Sequence, residues 1–169
     1  MLIRLAKPTD ANAIAEIHVA TWRTAYRGQI PSTVLDALDV SSRAAFWREA
    51  LSTTHNIFVA ELGSVAVGFC SLIPSRDNGV DSSTVAEIAT LYVLPQCWRR
   101  GVGRQLCLPA FDAAFTAGFS SVTLWVLTTN DFAISFYESL HFQCDGAAKS
   151  EQNPDGTMLH ELRMRRQLP

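Results

Sequence analysis

The sequence lacks the features that mark several classes of protein. Its four cysteines, Cys70, Cys97, Cys107 and Cys144, form no C-x-x-C pair and have no histidine at ligand spacing, which argues against a metal site or a disulfide framework. Three of them lie in apolar runs and are predicted to be small core residues in a reducing compartment. No apolar run reaches the roughly 18 residues of a membrane span, and the N-terminus has no signal-peptide pattern. We therefore expect a cytoplasmic protein with no metal and no membrane partner.

A large excess of charge is also missing. The 169 residues contain 14 Lys and Arg against 16 Asp and Glu, a formal net charge of −2 at pH 7. This balance gives no global reason to expect nucleic acid as a partner, so any anion site must be local. The hydrophobic content of 48% and charged content of 18% are ordinary for a globular protein. The length predicts a single domain over residues 1–169.

Hydrophobic periodicity predicts a mixed α/β chain. The predicted elements are, in chain order, a strand at 3–7, helices from about 10, 34 and 41, strands at 56–62, 65–73 and 85–94, a helix at 101–117, a strand at 121–127, a helix at 130–140, and strands at 142–145 and 157–166. The polar segment GAAKSEQNPDGT before the last strand is predicted to be a loop. Pro109 predicts a kink or a break within its helix, because proline removes a backbone hydrogen bond there.

The segment LYVLPQCWRRGVGR, residues 91–104, begins as a strand and ends in a glycine-containing turn that opens a helix. The free N–H groups and the dipole of a helix N-terminus favour an anion at such a turn. Gly101 and Gly103 would let the backbone approach a bulky anion such as a pyrophosphate, and the arginines around them add positive charge. The plain alternative is a strand–helix turn with a solvated basic rim.

Two familiar phosphate-binding motifs fit this turn poorly. A P-loop needs Lys followed by Ser or Thr after its second glycine, where this chain has Arg104 and Gln105. A dinucleotide fingerprint needs a third glycine, where this chain has Leu106. Hydrolysis of nucleoside triphosphates is therefore not favoured.

Two segments, LYVLPQCWRRGVGRQL and TTNDFAISFYESLHF, resemble the two core motifs of the GNAT superfamily, the acetyl-CoA-dependent N-acetyltransferases. The match is dense from Glu87 to Phe142, and IHVATWRTAYRGQIP more weakly resembles the first helix and loop of many members. The resemblance implies a central, mostly antiparallel sheet that is splayed between its fourth and fifth strands, with helices on both faces. Two positions depart from the motif: Trp98 stands where Gln or Arg is usual, and His141 stands where Gly usually precedes Phe142.

The resemblance also implies how acetyl-CoA is bound. A strand would offer its main chain to the pantetheine arm, the turn would hold the pyrophosphate, and the next helix would contact the thiol end. The implied cofactor-binding residues are Leu91, Tyr92, Val93, Arg99, Arg100, Gly101, Val102, Gly103, Arg104, Asn130, Ala133 and Phe136. Asn130 has an alternative role, compatible with the first, as an ordinary helix N-cap.

The candidate catalytic residues are Tyr137, whose role the resemblance implies, and Glu87, a carboxylate that interrupts an apolar run. Tyr137 would protonate the departing thiolate, although by pattern alone it is a packed aromatic residue. An alkylamine is neutral only about once in 10³ molecules at pH 7, so a base is needed. Glu87, directly or through water, is one candidate and His18 is another; the alternatives are a solvated Glu87 and a core-lining His18.

The acceptor is predicted to be a small amine or an amino-acid derivative. Trp22 and Tyr26 lie where the family usually shapes its acceptor pocket, and packing into the core is the alternative for both. With no strongly acidic tract, polyamines and basic protein tails are not favoured. The leading hypothesis is direct attack in a ternary complex, and the rival is a regulatory module that binds acyl-CoA without turnover. Whether the protein is a monomer or a homodimer is left open.

Overall fold

In a computed structural model, which describes residues 1–53, 56–152 and 156–169, the chain builds a seven-stranded sheet. The strands are β1 Leu2–Leu5, β2 Ile57–Leu62, β3 Val65–Pro74, β4 Val85–Val93, β5 Ser121–Leu127, β6 Gln143–Gln152 and β7 Met158–Gln167. The helices are α1 Ala11–Ala25, α2 Ser32–Asp36, α3 Val40–Thr53, α4 Val102–Thr116 and α5 Asp131–Glu138, with short 3₁₀ turns at Pro8–Asp10 and Pro95–Cys97. Over the described residues, no helix is long and apolar enough to span a membrane.

The strand order is β1-β2-β3-β4-β5-β7-β6, and within the described chain every neighbouring pair is antiparallel except β4 with β5. The parallel pair is short, running from Val85 opposite Ser121 to Glu87 opposite Thr123. Beyond these three pairs the two strands no longer bond to each other, and the remainder of each is held by its other neighbour. The predicted fold, including the splay between the fourth and fifth strands, is confirmed.

Helices cover both faces of the sheet because alternate strand residues are apolar on both sides. On one face α1 and α3 pack Ile14 and Trp47 against Phe69 of β3. On the other face α4 packs Leu106 against Leu124 of β5. The cysteines are free thiols, three of them buried, as the sequence predicts. The sheet that contains the splay is therefore covered by α1 and α3 on one face and by α4 on the other.

One predicted loop is a strand. Residues 146–152 of this segment belong to β6, which ends at Gln152, while Asn153–Asp155 lie outside the described residues. β6 is the edge of the sheet and is exposed along nearly its whole length. A strand exposed on both faces carries no alternation of apolar and polar residues, so the sequence contains no signal for it.

Two backbone expectations have different outcomes. Helix α4 runs through Pro109 without a break, because Leu106, Ala110 and Phe111 on either side hold it against the core. His141 adopts the left-handed conformation expected of the glycine it replaces, with φ 65°. The chain thus follows the family turn geometry at that position at the cost of a strained residue.

Candidate active site

The splay of β4 and β5 opens a cleft of ≈ 930 Å³. Its walls come from the C-terminal half of α1, from β4, from the turn at 97–104, from β5 and from α5, with Glu161 of β7 at one side. All but one of the predicted cofactor-binding residues line this cleft, and so do Tyr26 and Tyr137. The exception is Arg100. The sheet therefore brings together residues that are far apart in the sequence.

The turn before α4 presents an anion-binding end. Gly101 is the N-cap in the left-handed conformation, with φ 79°, and no atom lies near the position of a side chain there. The first backbone bond of the helix runs from Gln105 N to Gly101 O at 3.1 Å. The N–H groups of residues 102–104 consequently have no carbonyl of the helix to bond, and they point out of its N-terminus. Arg99, also left-handed with φ 60°, precedes the cap.

Gly103 has a different reason to be glycine. A Cβ at this position would lie 3.1 Å from Cζ of Phe136 in α5. Such a contact is tighter than ordinary van der Waals packing, so a side chain here would require the Phe136 ring to shift by a few tenths of an ångström. Gly103 thus lets the Phe136 ring lie close to the start of α4.

The arginines of the turn differ in what they contact. The Arg99 guanidinium lies over the ring of Phe132, 4.7 Å from its centre, and lines the cleft. Arg104 donates to Ser139 O at 3.1 Å and also lines the cleft. Arg100 is exposed and lies outside the lining. Two of the three predicted cations are therefore placed at the cleft.

Trp98 forms part of the cleft wall. Its Nε1–H donates to Val93 O at 2.6 Å, and Thr21 Oγ1 donates to the same carbonyl at 3.0 Å. Because Leu94 N donates to Val67 O of β3, strand alternation turns the backbone groups of Leu91 and Val93 toward the open side. The Leu91 N–H and C=O and the Val93 N–H thus remain available to a ligand.

Helix α5 places Tyr137 at the cleft, and its N-cap residue Asn130 also lines the cleft. Asn130 is the N-cap, its Oδ1 accepting from Ala133 N at 3.1 Å, so the N-cap prediction is confirmed. Its side-chain NH₂ group remains a donor. Tyr137 packs edge-on against Phe136 and Phe142. Burial raises the pKa of the Tyr137 phenol well above its usual value, so the hydroxyl keeps its proton over the whole neutral range.

This constellation has counterparts among known proteins. The profile of the family described as "Acetyltransferase (GNAT) family" matches residues 8–142, most of the chain. The chain belongs to the GNAT family. It is 35% identical over 141 residues to the N-acetyltransferase YuaI of Bacillus subtilis, a match that covers 81% of this chain and 77% of YuaI. The resemblance drawn from the two motifs is confirmed, and the protein is a GNAT-type N-acetyltransferase.

The chain is also similar to two further proteins. The chain is 26% identical over 144 residues to the L-amino acid N-acyltransferase MnaT of Escherichia coli, covering 84% of this chain and 79% of MnaT. The structure of yncA from Salmonella typhimurium, solved with its cofactor acetyl-CoA, superposes with a TM-score of 0.74 at 24% identity, covering 99% of this chain and 94% of that one.

Glu87 does not reach the cleft of this GNAT enzyme. Its side chain is 4% exposed, and Arg76 donates to Oε1 at 2.6 Å and to Oε2 at 3.4 Å from its guanidinium, and to Oε2 at 3.2 Å from its backbone N–H. The predicted base, Glu87, is thus held in an ion pair with Arg76 where β4 pairs with β5. The carboxylate that the sequence places within an apolar run is explained by this partner.

His18 is also removed from the cleft. Its Nδ1 accepts from Trp47 Nε1 at 3.2 Å, so the proton of the neutral imidazole lies on Nε2. Burial lowers the pKa of His18 to about 4. A base needs a free lone pair facing its substrate, and the one lone pair of His18 is already bonded. The alternative, a core-lining histidine, is the one the structure favours.

Of the two aromatic residues predicted to shape the acceptor pocket, only one lines the cleft. Tyr26 lines the cleft, whereas Trp22 lies outside the lining, packed 5.4 Å from the His18 ring and 5.1 Å from the Tyr26 ring. Sequence reasoning also missed several lining residues, namely Thr21, Gln29, Trp125, Thr129, Phe132 and Glu161. Of these, Thr129 donates to Gln29 Oε1 at 2.8 Å and so joins the two sides of the cleft. Four of these residues lie within the segments that resemble the family motifs, whereas Trp125 and Glu161 carry no local signal, because sheet packing brings them to the cleft.

Among the described residues, no group of three His, Cys, Asp or Glu side chains could hold a metal ion. The charged groups of the cleft are instead the arginines of the turn, Asp131 and Glu161. The cations lie at the turn, and Glu161 lies on β7, beyond β5. The cleft is therefore positive at one end and carries a carboxylate at the other.

Proposed function

We propose that the protein transfers the acetyl group of acetyl-CoA to a primary amine of a small or amino-acid-like acceptor, by direct attack in a ternary complex. The observation that carries the proposal is the cleft between β4 and β5, which has an anion-binding turn at one end and the protonated Tyr137 hydroxyl within it. The two features lie on one continuous surface, as a nucleotide-linked thioester requires.

The donor is proposed to bind along the open side of β4. Its pyrophosphate lies against the N–H groups of residues 102–104, with Arg99 and Arg104 beside it. Its pantetheine arm bonds the free backbone groups of Leu91 and Val93, and the Asn130 amide meets the thiol end. The acetyl-CoA of yncA, a protein of the same fold, supports this choice of donor.

The chemistry follows from the groups within the cleft. The amine nitrogen attacks the thioester carbonyl carbon, a C–N bond forms, and the C–S bond breaks. The departing thiolate takes the proton of the Tyr137 hydroxyl. The ammonium form of the acceptor loses one proton to water before the attack, and its nitrogen loses a second proton to water after the C–N bond has formed. One of these two protons returns to Tyr137 through water, so the products are the N-acetyl amine, free coenzyme A and one proton.

Water is proposed to carry away the acceptor's proton. Glu87 is bonded to Arg76, and the His18 lone pair is bonded to Trp47, so neither side chain faces the cleft. A direct proton transfer needs the base within about 3 Å of the proton it takes. The half-open cleft gives solvent access to the acceptor instead.

The acceptor is proposed to enter beside Tyr26, Gln29 and Thr129, which form the wall away from the turn. The contact between Gln29 and Thr129 limits the width of this entrance, which favours a small acceptor. The name of the relative MnaT, an L-amino acid N-acyltransferase, supports an amino-acid-like amine.

Calorimetric titration with acetyl-CoA tests the donor site. We expect micromolar binding by the wild-type protein and at least a ~10-fold loss in the double variant Arg99→Ala/Arg104→Ala, since each lost charge contact is worth about 1 kcal/mol or more. Arg100→Ala is the control for charge, because it removes one cation of the same turn that lies outside the cleft. An equal loss of binding free energy per removed charge in the two proteins would mean that only the general positive charge matters, and no binding by the wild type would refute the proposal.

Release of free coenzyme A then tests turnover. The purified protein is incubated with acetyl-CoA and a panel of L-amino acids and small primary amines, and thiol is measured against a no-amine control. Release that depends on an amine supports the enzyme proposed here. Binding of acetyl-CoA without amine-dependent release from any member would refute the proposed acceptor class.

A further inference from the structure

A lysine side chain marks a cation-binding position at the acceptor side of the cleft. The Lys149 ammonium lies 3.1 Å from Glu161 Oε2 and 4.4 Å from the centre of the Trp125 ring. A carboxylate beside the face of an indole is an effective combination for an ammonium ion. Glu161 and Trp125 both line the cleft, whereas Lys149 reaches them from β6. Glu161 and Trp125 thus already bind an ammonium group, that of Lys149 in the same chain.

Lys149 is held weakly compared with its neighbour Arg163. The Lys149 side chain is 45% exposed, and exposed ion pairs contribute little to stability. Arg163 also lies over Trp125, at 5.7 Å, but it is paired with Asp77 at 2.8 Å and Asp145 at 2.9 Å and is 14% exposed. An incoming cation can therefore displace Lys149 and leave Arg163 in place.

The position lies on the acceptor side of the sheet. In β7, Leu162 and Met164 pack into the core under α4, so alternation turns Glu161 to the opposite face, the one on which α1 packs against β3. Tyr26, the C-cap residue of α1, is close enough that the Glu161 charge helps to raise its pKa, after the larger effect of burial. Glu161 and Tyr26 consequently belong to the same part of the cleft, away from the arginine turn.

We propose that Glu161 and Trp125 form the subsite that receives the ammonium group of the acceptor, and that Lys149 fills this subsite while the acceptor is absent. The inference rests on the proposed function and narrows its substrate class to amines that arrive as cations. Nearly all of an alkylamine is cationic at neutral pH, so the subsite captures the abundant form. Lys149 then acts as an internal competitor of the acceptor.

Binding of n-butylammonium chloride to the coenzyme A-saturated protein tests this without turnover. We expect Lys149→Gln to tighten binding about 3- to 10-fold and Glu161→Gln to weaken it by a similar factor, as one exposed ammonium contact is worth about that much. Lys7→Gln, at the only other lysine, matches the charge change of the first variant, and Glu151→Gln on β6 matches that of the second. n-Butanol, of the same shape but neutral, should show no difference between the proteins.

The outcomes separate the two proposals. Opposite effects in Lys149→Gln and Glu161→Gln, absent from the charge-matched variants, support the ammonium subsite. Unchanged or equally weakened n-butylammonium binding in both variants, with coenzyme A binding intact, would refute the subsite and leave the proposed function standing. Failure of the wild-type protein to bind coenzyme A would instead refute the proposed function. Thermal melting of each variant identifies any loss of fold.

Discussion

The two sides of β4 differ in what their side chains contact. Behind the strand lies the aromatic cluster, formed by His18, Trp22, Trp47 and Phe69, in which the rings pack on one another and the histidine is neutral. In front lies the cleft, which Tyr137 and two of the turn arginines line. The cluster supports the wall of the cleft, and the cleft is where we propose that the reaction takes place.

Tyr92 joins these two regions. Its ring packs 5.0 Å from the His18 ring and 5.5 Å from the Phe69 ring, while its neighbours Leu91 and Val93 turn their backbone groups to the cleft. The rigid cluster thereby fixes the position of the strand that the donor is proposed to follow. If the comparison is right, changes in the cleft should alter turnover, and changes in the cluster should alter stability.

The largest effect is expected at Tyr137. Tyr137→Phe removes the proposed proton donor and keeps the packed ring, so kcat should fall about 10²- to 10⁴-fold, the usual range for a general acid. The affinity for acetyl-CoA should be unchanged by calorimetry. A variant with wild-type kcat would show that the thiolate leaves without this proton.

A second effect should appear in the cluster, as pH-dependent stability. Because burial lowers the pKa of His18 to about 4, the unfolded chain binds a proton more readily than the folded one below the ordinary value of 6.5. The free energy of unfolding should therefore be nearly unaffected above pH 7 and fall by roughly 2.5 kcal/mol between pH 7 and about 4.5.

Denaturant unfolding at several pH values measures this loss, and His18→Asn should remove most of it, because the Asn oxygen can still accept from Trp47. The exposed His160, replaced in the same way, is the control. An unchanged pH dependence in His18→Asn would assign the loss to other groups.

Glu87 should behave as a structural residue, with a smaller effect. Glu87→Gln breaks the ion pair with Arg76, which is 67% exposed and can return to water. We expect the free energy of unfolding to fall by about 1–3 kcal/mol. The pH profile of kcat/KM should keep its shape. If this variant loses the acidic limb of the pH profile of kcat/KM, Glu87 would instead be identified as the base.

The smallest effect is expected at the acceptor wall. Tyr26→Ala should raise the acceptor KM about 10-fold, because a well-packed aromatic contact is worth roughly 1.5 kcal/mol, and should leave the KM for acetyl-CoA nearly unchanged. Steady-state kinetics with the best amine of the panel measures both constants. An equal rise in the two would contradict the placement of Tyr26 at the acceptor.

Local signals in the sequence account for much of this architecture. The turn at 99–104 and the cap at Asn130 depend on neighbouring residues, and both are present as predicted. The partners of Glu87 and His18 are Arg76 and Trp47, and such tertiary pairings leave no periodic pattern. The sequence predicts the start of β6 at 142–145 but not its continuation to Gln152, because an exposed edge strand needs no alternation of apolar and polar residues. The sequence identifies Glu87 and His18 as groups that can accept a proton, but it does not show whether either side chain can reach a ligand.

The short junction between β4 and β5 has a mechanical consequence. Three residue pairs connect the half of the sheet formed by β1–β4 to the half formed by β5–β7. A ligand that lies in the gap would replace the missing hydrogen bonds between β4 and β5 and would connect the two halves of the sheet. Amide hydrogens of residues 88–93 that face the gap should exchange quickly in the free protein and slowly with donor bound, so the substrate itself completes the sheet.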